Sequence, residues 1–149
     1  MKKILIATAV ALAATAVTAA DIGVTATRDY AGDNRNGAGI TLGEKFGKVG
    51  VTAGFERTTA GNNDQDRLSL TAGYDIARFG QLTIAPKLGV AHLNNQRGAD
   101  GYAMTVGVGA SVPLNKKVSL TADVARQYGQ DSVTAFDGDR VTFGLRYKF

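Results

Sequence analysis

Few side chains in this sequence can do chemistry, and their spacing argues against most of it. Cysteine is absent and histidine occurs once, as His92 in Val90-Ala-His-Leu-Asn-Asn95. An imidazole works as a catalytic base when a hydroxyl or thiol lies beside it. A lone imidazole is more often an amphipathic anchor, so no catalytic residue is expected. Carboxylates gather as Asp64 with Asp66, Asp100, and Asp131 with Asp137 and Asp139. Oxygen-rich loops take Ca²⁺, yet no EF-hand spacing is present, and Asp-x-Asp and Asp-Gly-Asp also arise as turn chemistry. No metal site and no cofactor is expected. Arg57, Arg67, Arg97, Arg126 and Arg140 either pair with phosphate oxygens, which suit the guanidinium fork, or stay solvated. A last set, Lys45, Glu56, Asp75, Lys87, Asp123, Arg146 and Lys148, falls on the polar side of alternating segments. Charges of both signs on one side of a sheet form either an ion-conducting path or a structural network that neutralises itself.

Those residues must be positioned by strands. The last nine, Val141 to Phe149, alternate Val141, Phe143, Leu145, Tyr147 and Phe149 with Thr142, Gly144, Arg146 and Lys148. Period two marks a strand with one apolar and one polar face. The same alternation predicts strands near Asp21–Asp29, Gly37–Phe46, Lys48–Arg57, Arg67–Ala77, Gln81–His92, Tyr102–Val112 and Lys117–Gln127. Strands of about ten residues suit a tilted crossing of the hydrocarbon layer, which needs roughly 9–11. The connections alternate between short (Phe46-Gly47-Lys48, Arg78-Phe79-Gly80, Pro113 to Lys116) and longer and polar (30–36, 58–66, 93–101, 128–138). Pro86 sits in the middle of a predicted strand and donates no ladder hydrogen bond, so a bulge or local break is expected near Ala85–Lys87.

The amino-terminal end points to export. Lys2 and Lys3, the apolar run Ile4 to Val17 and the small residues Thr18-Ala19-Ala20 have the three regions of a secretory signal peptide. Cleavage after Ala19 or Ala20 fits, Ala20 being preferred. Residues 1–20 are then a signal peptide and 21–149 one domain. The leader holds two of the 17 Lys plus Arg and none of the 13 Asp plus Glu, so the net charge falls from +4 to +2. No basic run supports a nucleic-acid partner. The expected fold class is all-β: an eight-stranded antiparallel up-and-down transmembrane barrel, with a soluble sandwich or lipocalin-like barrel as the alternative. A barrel has no sheet edge left to pair, so a monomer is expected.

Aromatic residues sort to the strand ends. Phe46, Phe79, Tyr147 and Phe149 fall at the short-turn boundary, and Tyr30, Phe55, Tyr102 and Tyr128 at the other. Two aromatic girdles around an aliphatic band suit lipid-facing strands. The opposite faces carry Gly, Thr, Ser and Ala, which relieve crowding in a narrow barrel. The inward charges are expected to form a plug, with Asp123 and Arg146 as partners on the last two strands.

The signal peptide, eight alternating strands, turn asymmetry and terminal Tyr147-Lys148-Phe149 resemble the small outer-membrane β-barrel superfamily. That group includes the transmembrane domain of outer membrane protein A, outer membrane protein X and the opacity-type adhesins. Leu70-Thr-Ala-Gly-Tyr74 and Ile84-Ala-Pro-Lys-Leu-Gly-Val90 are similar to its Gly-Tyr and Pro-x-x-Gly-x-Gly strand patterns, although Ala91 stands where Gly is common. The resemblance covers the whole mature chain and implies the cell outer membrane as location. It also implies contact with lipid and lipopolysaccharide, and assembly by the outer-membrane insertion machinery, for which Leu145, Tyr147 and Phe149 are the signal. Deacylases of this superfamily resemble a His-x-Ser pair; here Asn94 stands where the serine would, which removes the nucleophile. Three functions remain: a structural or surface-interaction barrel, a narrow passive channel, and, least supported, a lipid A-modifying enzyme.

Overall fold

The computed structural model describes residues 21–30, 34–61, 63–95, 98, 100–130, 133 and 136–149. The expected leader, Arg97 and Asp131 lie outside the described residues. Nine strand segments follow one another: β1 (Asp21–Asp29), β2 (Arg35–Phe46), β3 (Val49–Ala60), β4 (Asn63–Tyr74), β5 (Ala77–Phe79), β6 (Leu82–Asn95), β7 (Asp100–Pro113), β8 (Val118–Gly129) and β9 (Gly138–Lys148). Each pairs antiparallel with its sequence neighbour, apart from the β4–β5 break. β1 pairs with β9 and β4 with β6, so the sheet closes on itself. Because β5 continues the line of β4, the barrel has eight staves.

The period-two alternation sets which side faces out. In β1, Ile22 and Val24 are exposed while Gly23, Thr27 and Asp29 are buried. The same inversion holds around the barrel. Exposed large hydrophobics include Ile40, Leu70, Leu88, Val106, Val124 and Phe143, whereas the buried residues are mostly Thr, Arg, Asn, Gln and Glu. A continuous apolar belt of this size on a molecule in water would be a large exposed patch; against lipid it is the expected outer surface.

The short turns are tight hairpins. Gly47 and Gly80 have φ of 63° and 61° and each opens a two-residue connection, between Phe46 and Val49 and between Phe79 and Leu82. A positive φ at that position matches the twist of the strands and favours glycine.

Two expectations need correction. The polar stretch 58–66, expected to be a long loop, is mostly strand: Thr58 pairs with Gln65, Thr59 with Asp64 and Ala60 with Asn63. β3 runs to Ala60 and β4 begins at Asn63. Polar residues on both faces read as loop, but a hairpin that projects beyond the apolar layer can carry them. Similarly, β2, β6 and β7 begin or end beyond their predicted bounds. The second correction concerns Pro86, where β6 stays continuous and keeps Pro86 opposite Val108. The irregularity lies on the facing strand. Gly73 pairs with Lys87 and Ala77 with Ile84, so three residues on the β4–β5 side face two on β6. Ile76 donates to the Ile84 carbonyl at 3.0 Å, so Ile84 turns its backbone groups toward that side. By alternation Pro86 does the same. The missing N–H therefore faces Tyr74-Asp75-Ile76, and the bulge forms where the donor is absent.

Candidate functional site

Inside the barrel the charged residues stand in three tiers. Nearest the long-loop end, Arg140 on β9 reaches across to Glu56 on β3 at 2.5 Å and to Asp29 on β1 at 3.2 Å. Thr27 donates to the other Glu56 oxygen at 2.6 Å and lies 3.0 Å from the Thr142 hydroxyl. Arg67 donates to Gln127, whose amide nitrogen donates to the Phe136 carbonyl at 2.9 Å. Glu56, Arg67 and Arg140 are 6–8% exposed and Asp29 is 5% exposed. Two acids face two guanidinium groups, and a third buried guanidinium, Arg35, also acts on Asp29, so the buried charges at this end sum to +1. A buried charge without a partner is strongly destabilising, which is why the groups occur as a set.

The roof over that tier is apolar. Val133 and Phe136, from the segment between β8 and β9, pack with Ala91, Leu93 and Ala103 as the buried hydrophobic cluster. Arg35 lies over the Phe136 ring, 5.1 Å from its centroid, and donates to the Asn63 carbonyl at 2.9 Å.

In the middle tier Lys87 on β6 pairs with Asp123 on β8. The two strands are separated by β7, and the pair crosses it at Gly109, where a Cβ would run into both side chains. Arg146 donates to the Thr52 hydroxyl at 2.9 Å and lies 3.8 Å from Asp21. At the short-turn end Lys45 pairs with Asp75 in a more open setting. Two cavities run between these tiers. One of about 130 Å³ is lined by Glu56, Arg67, Arg140 and hydroxyls such as Thr25 and Thr105. The other, about 290 Å³, is lined by Asp21, Lys45, Asp75 and Lys148. Lys87 and Arg146 line both.

The structure thus gathers Lys45 with Asp75 and Lys87 with Asp123, and it places Glu56 and Arg146 with other partners. It does not join Asp123 to Arg146. In the β8–β9 register Asp123 faces Thr142 and Arg146 faces Ser119. The two side chains are four residues apart along the sheet, about 13 Å at the strand rise. Nor are all the arginines at the rim. Arg67 and Arg140 are buried inside, while Arg57 and Arg126 are on the outer face with Asp66 (2.6 Å) and Asp139 (3.5 Å). Parity carries this difference: Arg67 alternates in step with inward Ser69 and Thr71, Arg57 with outward Phe55. Thr27, Asp29, Gln127 and Phe136 also belong to the inner set. Asp29 and Gln127 are legible by the same parity, but nothing local in the sequence shows that Phe136 turns back into the mouth.

On the outside, His92 Nε2 lies 2.6 Å from Asp100, and its ring meets Tyr102 edge-on at 5.0 Å. Asp137 accepts from the Gly129 N–H. Among the described residues no group of three or more His, Asp or Glu gathers as a metal site would require. Phe46, Phe79, Tyr147 and Phe149 are exposed at the short-turn end, and Tyr30, Phe55, Tyr102 and Tyr128 at the other. Leu145 shares the outer face of β9 with Tyr147.

No protein-family model and no curated protein matches the sequence. Solved structures do match. The chain is similar to Neisserial surface protein A, with a TM-score of 0.71 and 14% identity over 87% of this chain and 95% of that one. It is similar to the N-terminal β-barrel domain of Pseudomonas aeruginosa OprF, with a TM-score of 0.65 and 15% identity over 88% and 98%. A major outer membrane protein of Thermus thermophilus gives a TM-score of 0.62 and 16% identity over 87% and 99%. With its eight staves, apolar exterior and ion-paired interior, this chain has the fold of the small outer-membrane β-barrels.

Proposed function

We propose that the protein is a small integral barrel of the cell outer membrane, with a structural or surface-interaction role and a plugged interior. The observation that carries this reading is the Arg140–Glu56–Asp29 cluster, which spans the lumen under the Val133–Phe136 roof. An ion entering from the long-loop end meets an apolar cluster and then a layer of guanidinium groups whose carboxylates are already engaged. In this reading the short turns face the periplasm and the longer connections face outward. The leader is cleaved, the barrel is monomeric, lipid and lipopolysaccharide surround it, and the insertion machinery reads β9. The proposed role involves no catalysis; His92 is engaged by Asp100 and Tyr102, and Asn94 stands where a His-x-Ser pair would have its serine.

Outer-membrane fractions should contain a band that migrates differently before and after boiling; a periplasmic, non-shifting protein would end this reading. Purified protein in planar bilayers should show no steady unitary conductance. A second reading, a narrow passive channel, is favoured by the two cavities that meet at Lys87 and Arg146. Stable openings abolished by Lys87→Gln or Asp123→Asn would establish it instead. Lipid A mass profiles should be the same in a deletion strain and its parent.

A further inference from the structure

The short-turn end carries a charge pattern that the interior does not use. Every short turn exposes a cation next to an exposed apolar residue: Lys48 near Phe46, Arg78 beside Phe79, and Lys116 and Lys117 after Leu114. None of these four cations forms an ion pair among the described residues. The outer face at the opposite end is mixed: Arg57 and Arg126 are each matched by an aspartate, and Arg28 lies over the Tyr30 ring, 5.5 Å from its centroid. The turn cations form a basic collar around one end of the barrel, where Glu44 on β2 is an acid that likewise has no ion pair among the described residues.

One part of the collar is fixed in space. The Asn115 side chain accepts from the backbone N–H groups of Lys117 and Val118, both at 2.8 Å. Lys148 N–H donates to the Lys117 carbonyl at 2.7 Å. The turn between β7 and β8 is thus tied to β9. Lys117 Nζ then donates to the Tyr147 hydroxyl at 3.1 Å and sits 5.4 Å from the centre of its ring. Tyr147 belongs to the outward, apolar face of β9, so this ammonium is held sideways against the lipid-facing wall. A soluble polymer approaching along the barrel axis would not be met by a charge in that position. A headgroup phosphate of a lipid whose chains lie along Leu120 and Leu145 would be.

Resting on the outer-membrane reading above, we infer that the collar binds anionic phospholipid of the periplasmic leaflet. Lys116, Lys117 and the Tyr147 hydroxyl form its best-ordered phosphate site. Cations at a membrane surface attract anionic lipid by about fivefold each, and the neighbouring aromatic anchors keep the turn at headgroup depth.

The test uses protein purified from outer membranes and incubated in detergent with equal amounts of phosphatidylglycerol and phosphatidylcholine of matched chains. Native mass spectrometry reads the lipid retained. Wild type should retain phosphatidylglycerol preferentially. Lys116→Gln with Lys117→Gln should lower that preference about fivefold per lysine, while Arg57→Gln with Arg126→Gln should leave it unchanged. Equal retention of both lipids by a wild-type protein that still shifts on boiling overturns the inference and leaves the membrane reading standing. Equal loss in the two double variants also overturns it, because net charge alone would then explain the preference. A protein that does not shift on boiling overturns both.

Discussion

Arg140 and Arg146 lie on the same strand and face the same lumen, yet their removal should cost different amounts. Arg140 holds two buried carboxylates, and Arg140→Ala removes the one group that ion-pairs with both Asp29 and Glu56. Breaking such a set costs about 3–5 kcal/mol, and urea titration of the folded, boiling-sensitive band should show it. Arg146 is partly exposed and holds a hydroxyl and a more distant carboxylate, so Arg146→Ala should cost about 1 kcal/mol. The same titration tests Gly109. A methyl group there wedges between Lys87 and Asp123, and Gly109→Ala should cost about 1–3 kcal/mol through overpacking. In a Lys87→Ala background the added cost should shrink, since the Lys87 atoms that the methyl would meet are then gone. Full additivity would show that the glycine has another purpose.

At the scale of strands, β9 carries separate tasks on its two faces. Deleting Phe149 should reduce the fraction of protein reaching the outer membrane in boiling-sensitive form, because the outward set Leu145, Tyr147 and Phe149 is the proposed insertion signal. Arg146→Ala should leave that fraction unchanged. The reverse result would mean the two faces have been assigned the wrong way round. The strands also show where a sequence pattern misleads. Alternation of apolar with polar residues locates a strand only while one face is against lipid. Where β3 and β4 rise above that layer, Thr58–Asp66 is polar on both sides and looks like a loop, although its residues pair across the hairpin. At Pro86 a bulge was legible but its strand was not, because the extra residue sits on the facing strand rather than on the one that lacks the donor.

For the whole molecule, the proposed closure of the long-loop end rests on two layers, the apolar roof and the ionic tier beneath it. Phe136→Ala should therefore leave planar-bilayer conductance at baseline, because Glu56 and Arg140 still span the lumen. Combining Phe136→Ala with Glu56→Gln and Arg140→Gln should produce openings. Conductance from Phe136→Ala alone would show that the roof is the sole barrier. By itself the sequence determined which residues face lipid and which face the lumen, how many staves there are, and which ends carry aromatics. Those properties follow from period-two geometry, which is local and fixed by the pleat. Only the tertiary structure decided the partners: Lys87 with Asp123 rather than Asp123 with Arg146, and Arg140 with both Glu56 and Asp29. It also decided that Phe136 folds back over the mouth. Partners across a lumen depend on strand register and on the side chains that fill the space between, and neither is a property of any one segment.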